Sequence, residues 1–327
     1  MINLSLEDLI GLLFFSLSAL FLIIASCRFR EIRMALRRLA VIMIILEIAL
    51  VLIHFPYDFD TPSATAGAYD VEKYYVKEFE GEAAPEFENF PGLHEQIKRL
   101  VADFVERHAL KKKHVLEIGA GTGYLQDIVD DYTGLDIAPA AQRYFHKRFV
   151  AGSATALPFP DNEFDVAWSI FVYEHVLNPE RGFMEARRVL RNGGLVFLCP
   201  AWNCPTWLAE GYEVRPYSDL NLREKLVKAS LIIRTLPPFQ ACYSYPIRFV
   251  RLLSAYSSHG PTKLRYILLH PDYSNYWEPD SDAVNSIDRF EALQWFLSRG
   301  DECLNCSLQR DFWLHDGPLI FRINKRQ

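Results

Sequence analysis

The chain lacks the surplus of positive charge that a nucleic-acid binder carries. Its 35 Lys and Arg stand against 41 Asp and Glu, a net charge of −6 over 327 residues. Neutralised phosphates supply most non-specific nucleic-acid affinity, so the balance argues against DNA or RNA as partner. Cysteine is scarce and scattered, at positions 27, 199, 204, 242, 303 and 306. Cys303 and Cys306 form the one close pair, and no second pair or His-x-x-x-His completes a zinc set. No metal is expected, and the thiols read as reduced and mostly buried. The chain also lacks the basic opening of a signal peptide, because Met1 to Asp8 is acidic.

What is present begins with two long apolar runs, 9–26 and 39–55, of 18 and 17 residues. As helices each spans about 26 Å, just short of a ~30 Å hydrocarbon core. They read as an N-terminal two-helix membrane hairpin over 1–55, which also offers a surface for a protein partner. Glu47 inside the second run is costly there unless it faces the other helix, water or a partner. Between the runs, 28–38 holds five arginines and one glutamate. The positive-inside rule puts that loop in the cytoplasm. A crossing hairpin would then carry the rest of the chain outside, a conflict that disappears if the helices dip into the cytoplasmic leaflet without crossing. Residues 56–90 are acidic, punctuated by Pro and Gly and aperiodic, and read as a linker. Its Tyr69, Tyr74 and Tyr75 suit either a ligand or a bilayer surface.

From 91 to 327 the pattern changes. Pro91 opens a helix with Ile97, Leu100, Val101, Phe104 and Val105 on one face. Strand-like runs then fall near 114–118, 133–136, 149–152, 164–169 and 194–199, alternating with helical stretches. Such alternation predicts a parallel sheet with helices on both faces and a ligand at the strands' carboxyl ends. Ser286–Gly300 reads as a capped helix with a glycine stop, followed by strand-like runs near 302–309 and 318–324. The fold expected is α/β: a Rossmann-like, doubly wound, seven-stranded sheet, mostly parallel with an antiparallel last strand.

The centre of this domain is Val115-Leu-Glu-Ile-Gly-Ala-Gly-Thr-Gly-Tyr-Leu125. A buried strand carries Glu117, turns through Gly119, Ala120, Gly121 and Gly123, and is expected to enter a helix near Thr122. Small residues let a ligand approach bare backbone, and a helix start offers free N–H groups. A dinucleotide fingerprint would need a third small residue where Tyr124 stands. The spacing instead resembles motif I of the class I S-adenosylmethionine-dependent methyltransferases. Three further stretches strengthen the likeness: Tyr132-Thr-Gly-Leu-Asp136-Ile137; Leu157-Pro-Phe-Pro-Asp-Asn-Glu-Phe-Asp165; and Glu185-Ala-Arg-Arg-Val-Leu-Arg-Asn-Gly-Gly-Leu-Val-Phe197. The last two are similar to the ubiquinone/sterol-methyltransferase-like group, and the resemblance spans roughly 90–200.

The resemblance implies S-adenosyl-L-methionine as cofactor. Glu117 would face its ammonium, and Gly119, Ala120, Gly121 and Gly123 would form its loop. Asp136 would accept from the ribose hydroxyls, beside Ile137. Ser153 stands where the family usually has an acid beside the adenine; its hydroxyl and the Ala154 N–H offer contacts instead. Ser169 closes the fourth strand. A hydroxyl acceptor needs a base, and the nearest candidate is His175, at the rim with Tyr173 and Glu174.

Residues 200–285 exceed the family's usual connection. From 214 to 270 nine basic residues face two acids, interleaved with aromatics. This reads as a cap insertion closing the acceptor pocket, with a basic face for membrane phosphates or an anionic acceptor. The next segment, 270–282, reads as pocket wall or lid. The expected activity is methyl transfer, at a membrane with the catalytic domain on its cytoplasmic side, to a lipid, quinone-like or lipid-linked glycan acceptor. Two alternatives are a scaffold that keeps this fold without turnover and an NAD-dependent oxidoreductase. Tyr124 counts against the second.

Overall fold

A computed structural model describes residues 6–29, 32–52, 71–81, 91–209, 211–257, 260–269, 271 and 279–325. Two apolar helices open the chain, α1 (Leu6–Arg28) and α2 (Arg33–Leu52), packed on one another. The second helix's arginines close the end of the first: Arg33 Nε donates to the Ser26 carbonyl (3.2 Å) and Arg37 Nε to the Ser26 hydroxyl (3.4 Å). Cations at a helix C-terminus satisfy carbonyls left without intrahelical partners. Among the described residues no helix is long and apolar enough to cross a membrane, which leaves the expected crossing hairpin unsupported.

The expected linker is not all irregular. Val71–Glu80 is helix α3, with Val71 and Phe79 buried. Its face repeats at 71, 75 and 79, a period the acidic composition hides. The remainder of that stretch, 56–70 and 82–90, lies outside the described residues, and Tyr69 with it. Helix α4 (Pro91–Arg107) then covers one face of the sheet with Ile97, Val101, Phe104 and Val105, as its periodicity predicts.

Strands β1 (His114–Ile118), β2 (Asp131–Asp136), β3 (Arg148–Ala151), β4 (Phe164–Ile170) and β5 (Leu190–Cys199) run parallel, with helix α5 (Pro179–Val189) between the last two. After β5 come the short α6 (Thr206–Ala209), then α7 (Leu222–Arg234) and α8 (Pro237–Ser257). A two-stranded antiparallel ribbon follows, β6 (Tyr266–Leu268) with β7 (Asn285–Ile287). Helix α9 (Arg289–Leu297), strand β8 (Glu302–Cys303), the short α10 (Leu308–Asp311) and strand β9 (Leu319–Arg322) end the chain. The sheet order is β3-β2-β1-β4-β5-β9-β8, with β9 antiparallel to both neighbours. This is the expected seven-stranded arrangement. The order reverses between β1 and β4, where a ligand crevice belongs.

Three local expectations change. No regular helix follows Gly123; the chain makes successive turns, Gly123 N to Ala120 O and Gln126 N to Gly123 O. Only seven residues separate Gly123 from β2, and Asp130 N is drawn to Lys111 O (2.8 Å). Leu125 and Val129 are buried all the same. The C-terminal helix starts later than expected: Ser286 lies in β7, and Asp288 caps α9 by accepting from Phe290 N (2.8 Å). Cys303 and Cys306 are joined as a disulfide, which corrects the reading of all thiols as reduced. Cys199 and Cys204 are free and buried, Cys27 free and exposed.

The motif Leu157–Asp165 is held by α5. The Arg188 guanidinium donates to the carbonyls of Leu157 (2.9 Å) and Phe159 (2.8 Å) and to Asp161 (2.8 Å). Glu185 accepts from Leu157 N (2.9 Å), and its bond from Arg188 holds its carboxyl below the ordinary range.

The basic surplus of 214–270 is partly spent inside. Arg248, fully buried on α8, forms a two-pronged pair with Asp288 (2.7 and 2.9 Å) and donates to Phe312 O (2.6 Å). Arg251 pairs with Glu291 (2.6 Å). These ties dock α8 onto α9. Removing one partner leaves the other charge buried alone. Arg248→Met is therefore expected to lower unfolding free energy by about 3–5 kcal/mol, read from the urea midpoint of the full chain.

Candidate active site

Register brings the predicted residues to one edge. Glu117 pairs with Gly134 and Trp168, and Asp136 with Ala151, so both acids stand at the carboxyl ends of neighbouring strands. There the chain must turn without stranding backbone donors. Gly119 N and Ala120 N both donate to Leu135 O (2.8 and 2.9 Å). Gly121 N donates to Asp136 Oδ2 (2.8 Å), and Ala138 N to Oδ1 (3.0 Å). The loop needs glycine for its backbone: Gly119, Gly121 and Gly123 all have positive φ (74°, 51° and 68°). A Cβ at Gly119 would lie 2.2 Å from a Val172 methyl.

The loop opens onto a cavity of about 710 Å³, a volume suited to a nucleoside-sized ligand with an acceptor beside it. Glu117, Gly119, Ala120, Gly121, Asp136, Ile137, Ser153, Ala154 and His175 line it. Two predicted residues do not. Gly123 is turned to the Phe145 ring, where a Cβ would come within 2.7 Å. Ser169 is buried within β4.

The charges are set by burial. Glu117 accepts a hydrogen bond from the Tyr132 hydroxyl, which fixes its carboxylate. Burial raises the Asp136 carboxyl above its ordinary value, against the lowering effect of the Ala138 and Gly121 N–H groups. Ser153 is organised by a turn: its hydroxyl meets that of Thr155 (3.0 Å), and Ala156 N donates to its carbonyl (3.1 Å).

The far side holds His175. Burial alone would lower its pKa, but Asp282 and Glu174 outweigh that and raise it. Nδ1 is 3.8 Å from Asp282 Oδ2, and Nε2 is 3.9 Å from Glu174 Oε1. Tyr75 of α3 donates to Asp282 (2.6 Å) and sets its ring edge-on to the imidazole at 5.7 Å. Glu174 is buried, accepts from Ala201 N (2.8 Å), and is pushed up to about 7 by burial. Tyr173, expected at the rim, is instead fully buried and packed on Phe183. Asn285 of β7 fixes this turn, donating to both Tyr173 O and Val176 O (2.7 Å each).

Glu174, His175 and Asp280 bring ligand-type atoms within 4.8 Å of one another. His175 Nδ1 is buried without a hydrogen-bond partner among the described residues, and the neighbouring carboxylates favour its protonated form.

Sequence reading did not single out Phe79 of α3, His94 of α4 or Phe171, which line the cavity; Tyr75, read as suiting either a ligand or a bilayer, lines it as well. His94 stacks on Tyr124 at 4.1 Å. Phe171 has a positive φ of 53° just beyond β4, a non-glycine strain often found where a strand delivers a functional turn. The cap expectation is corrected: among the described residues, none from 200–257 lines the cavity. The wall expectation for 270–282 holds for Pro279, Asp280 and Asp282; residues 272–278 lie outside those described.

A family model described as a methyltransferase domain matches residues 116–198. The chain is 30% identical over 155 residues to sterol 4-C-methyltransferase strm-1 of Caenorhabditis elegans, covering 41% of this chain and 46% of that one. It is 29% identical over 180 residues to demethylmenaquinone methyltransferase of Renibacterium salmoninarum, covering 52% and 62%. It is 29% identical over 197 residues to phthiotriol/phenolphthiotriol dimycocerosates methyltransferase 1 of Mycobacterium ulcerans, covering 50% and 70%. The chain spans about half the length of the first two. Sheet order, glycine loop, paired acids and family match agree: the chain carries a class I S-adenosylmethionine-dependent methyltransferase domain.

Proposed function

We propose that the chain transfers a methyl group from S-adenosylmethionine to a hydrophobic acceptor at a membrane surface, a lipid, quinone-like molecule or lipid-linked glycan. The observation that carries this is the loop Gly119–Gly121 lining one cavity together with two buried carboxylates, Glu117 and Asp136. Those donors and acceptors fit the cofactor: Glu117 for an ammonium, Asp136 for ribose hydroxyls, the Ser153 hydroxyl and Ala154 N–H for the adenine edge. When bound, the cofactor supplies a methyl already activated on a sulfonium.

The protein's remaining work is alignment, worth roughly 7–11 kcal/mol of barrier, and proton removal. His175 lines the same cavity as the loop and takes the acceptor's proton; Asp282 is a positioning residue whose carboxylate, 3.8 Å from Nδ1, favours the protonated form. Helix α3 contributes Val71, Tyr75 and Phe79 to the cavity wall. The hydrophobic acceptor is favoured by the predominantly apolar wall (Val71, Phe79, Leu93, Ile170, Phe171). The relatives named above, methyltransferases of a sterol, of demethylmenaquinone and of dimycocerosates, point the same way. On this reading the apolar helices α1 and α2 hold the chain at a bilayer surface, with the cavity on the cytoplasmic side where the cofactor is made. Mass spectrometry of lipid and glycan extracts, with and without the protein, is expected to show a species heavier by one CH2. Cofactor binding without any such species would leave only the scaffold.

Loss of a charged acceptor costs about 1.5–3 kcal/mol. Asp136→Ala is therefore expected to weaken S-adenosylhomocysteine by at least about tenfold in calorimetry, while NADH binds neither form. An unchanged affinity would remove Asp136 from the site.

A base with raised pKa acts only above that pKa. Turnover is expected to rise with pH along a limb displaced above the ordinary histidine value, and Asp282→Asn to move that limb to lower pH. His175→Gln is expected to lower kcat by about 10²–10⁴. A limb that stays put in Asp282→Asn separates the two residues.

Glu174 is protonated more readily folded than unfolded, so its favourable contribution is full below 4.5 and is lost as pH rises through about 7. The Glu174→Gln protein is expected to gain stability relative to the parent across that window, seen as a widening Tm difference.

A further inference from the structure

The cap helices have the wrong polarity for water. On α8 the arginines point inward, to Asp288 and Glu291, while Phe249, Val250 and Leu253 are exposed. On α7, Leu222, Leu226 and Ile233 are exposed, at spacings of four and seven residues that make one helical stripe, and Leu236 just past the helix end is exposed as well. Ile232 beside them is 79% exposed. The opposite stripe, Val227 and Leu231, is buried against Trp207, Tyr212 and Leu220, so the outward apolar side is not left over from a poor fit. Helix α1 packs on α8 and exposes Leu20, Phe21 and Ile24 in turn.

We infer that α7 and α8 lie in the plane of an anionic bilayer and, with α1 and α2, form one continuous membrane-facing surface. This deepens the membrane reading above and rests on it for the role of α1 and α2. Three observations favour a bilayer over a discrete partner. Over the described side chains of α2 the exposed apolar residues, Met34, Leu39, Val41, Ile42, Ile44 and Ile45, spread round more than half of the helix; a fluid surface covers such an arc, a groove covers one stripe. The charges are one-sided. Arg28 and Arg38 are exposed beside the α1–α2 turn and Lys225 within the α7 stripe. Helix α8 contains no acid, and Glu224 of α7 is tied into the Asn221 capping box. A second copy would set like charges together, whereas anionic headgroups complement them. Exposed Tyr217 and Trp313, the latter edge-on to Tyr245 of α8 at 4.6 Å, have the amphipathic character of interfacial anchors. In-plane burial to about 5–10 Å needs no crossing helix. The cap then docks the protein rather than closing the cavity.

The test uses the full chain with phosphatidylcholine vesicles, with and without phosphatidylglycerol. Binding is expected to be stronger with phosphatidylglycerol and to weaken with salt. Hydrogen exchange over 222–236 and 248–253 is expected to slow on vesicles. Leu226→Glu with Ile233→Glu is expected to reduce partitioning at least about tenfold while leaving S-adenosylhomocysteine affinity unchanged. Protection confined to 6–52, or vesicle binding indifferent to the double substitution, overturns the inference. So does a soluble dimer that the double substitution dissolves. Because cofactor affinity is read separately, failure here and failure of the methyltransferase reading are distinguishable. Should the double variant fail to fold, exchange on the parent chain decides.

Discussion

Backbone donors at the end of a buried parallel strand must find partners, and that requirement shapes the site. Where β1 ends, two successive N–H groups share the Leu135 carbonyl and a third reaches Asp136. Such a turn takes left-handed backbone at Gly119, Gly121 and Gly123, conformations that cost most residues roughly 1 kcal/mol or more each. The glycines thus do two things with one geometry. They satisfy the strand end, and at Gly119 and Gly121 they leave bare backbone on the cavity wall, against which a ligand can lie. Asp136 is drawn into the same arrangement: its carboxylate closes the loop from one side and faces the cavity from the other. Structure and recognition cannot be separated at this residue, because the oxygens that steady the loop still have lone pairs directed outward.

The opposite wall is built on the reverse principle. Nothing there follows from one strand's geometry; groups from distant segments are pinned by buried polar contacts. Asn285 bridges two carbonyls of the turn after β4, and Val284 N donates to Glu174 O (2.9 Å). These bonds bring the segment 279–284 against His175, which places Asp282 and Asp280 beside it. Glu174 is the cost of that packing, a carboxyl held almost dry and easily protonated. A histidine flanked by carboxylates keeps its proton longer than a solvated one, which makes it a stronger base once deprotonated.

This contrast explains what the sequence made legible. The glycine loop, Glu117, Asp136 and the five parallel strands are local: each is a few contiguous residues whose pattern states its own geometry. His175 was visible because it follows a strand at a fixed distance. Tyr75 was legible as a residue for a ligand or a bilayer and 270–282 as wall or lid, but their pairing was not, since the Tyr75–Asp282 bond joins residues 207 apart in the chain. Helix α3 carried a signal, the spacing of Val71, Tyr75 and Phe79, that the surrounding acids and prolines masked. The short turns after Gly123 were misread because amphipathic spacing at Leu125 and Val129 serves burial whether or not a regular helix forms.

The cap illustrates how composition misleads when pairing is unknown. Nine basic residues against two acids describe a strongly positive surface only if the acids that meet them lie in the same stretch. Here two of the arginines meet Asp288 and Glu291, beyond it in sequence. With Arg248 and Arg251 turned inward, the helix that bears them must present its other residues outward, and those are Phe249, Val250 and Leu253. The ion pairs therefore decide which face of α8 is apolar. A surface that looked electrostatic in the sequence presents apolar side chains on α8 and along the α7 stripe, with the exposed Lys225 among them. That is the distribution expected where apolar side chains enter a lipid layer and charges stay at the level of its phosphates.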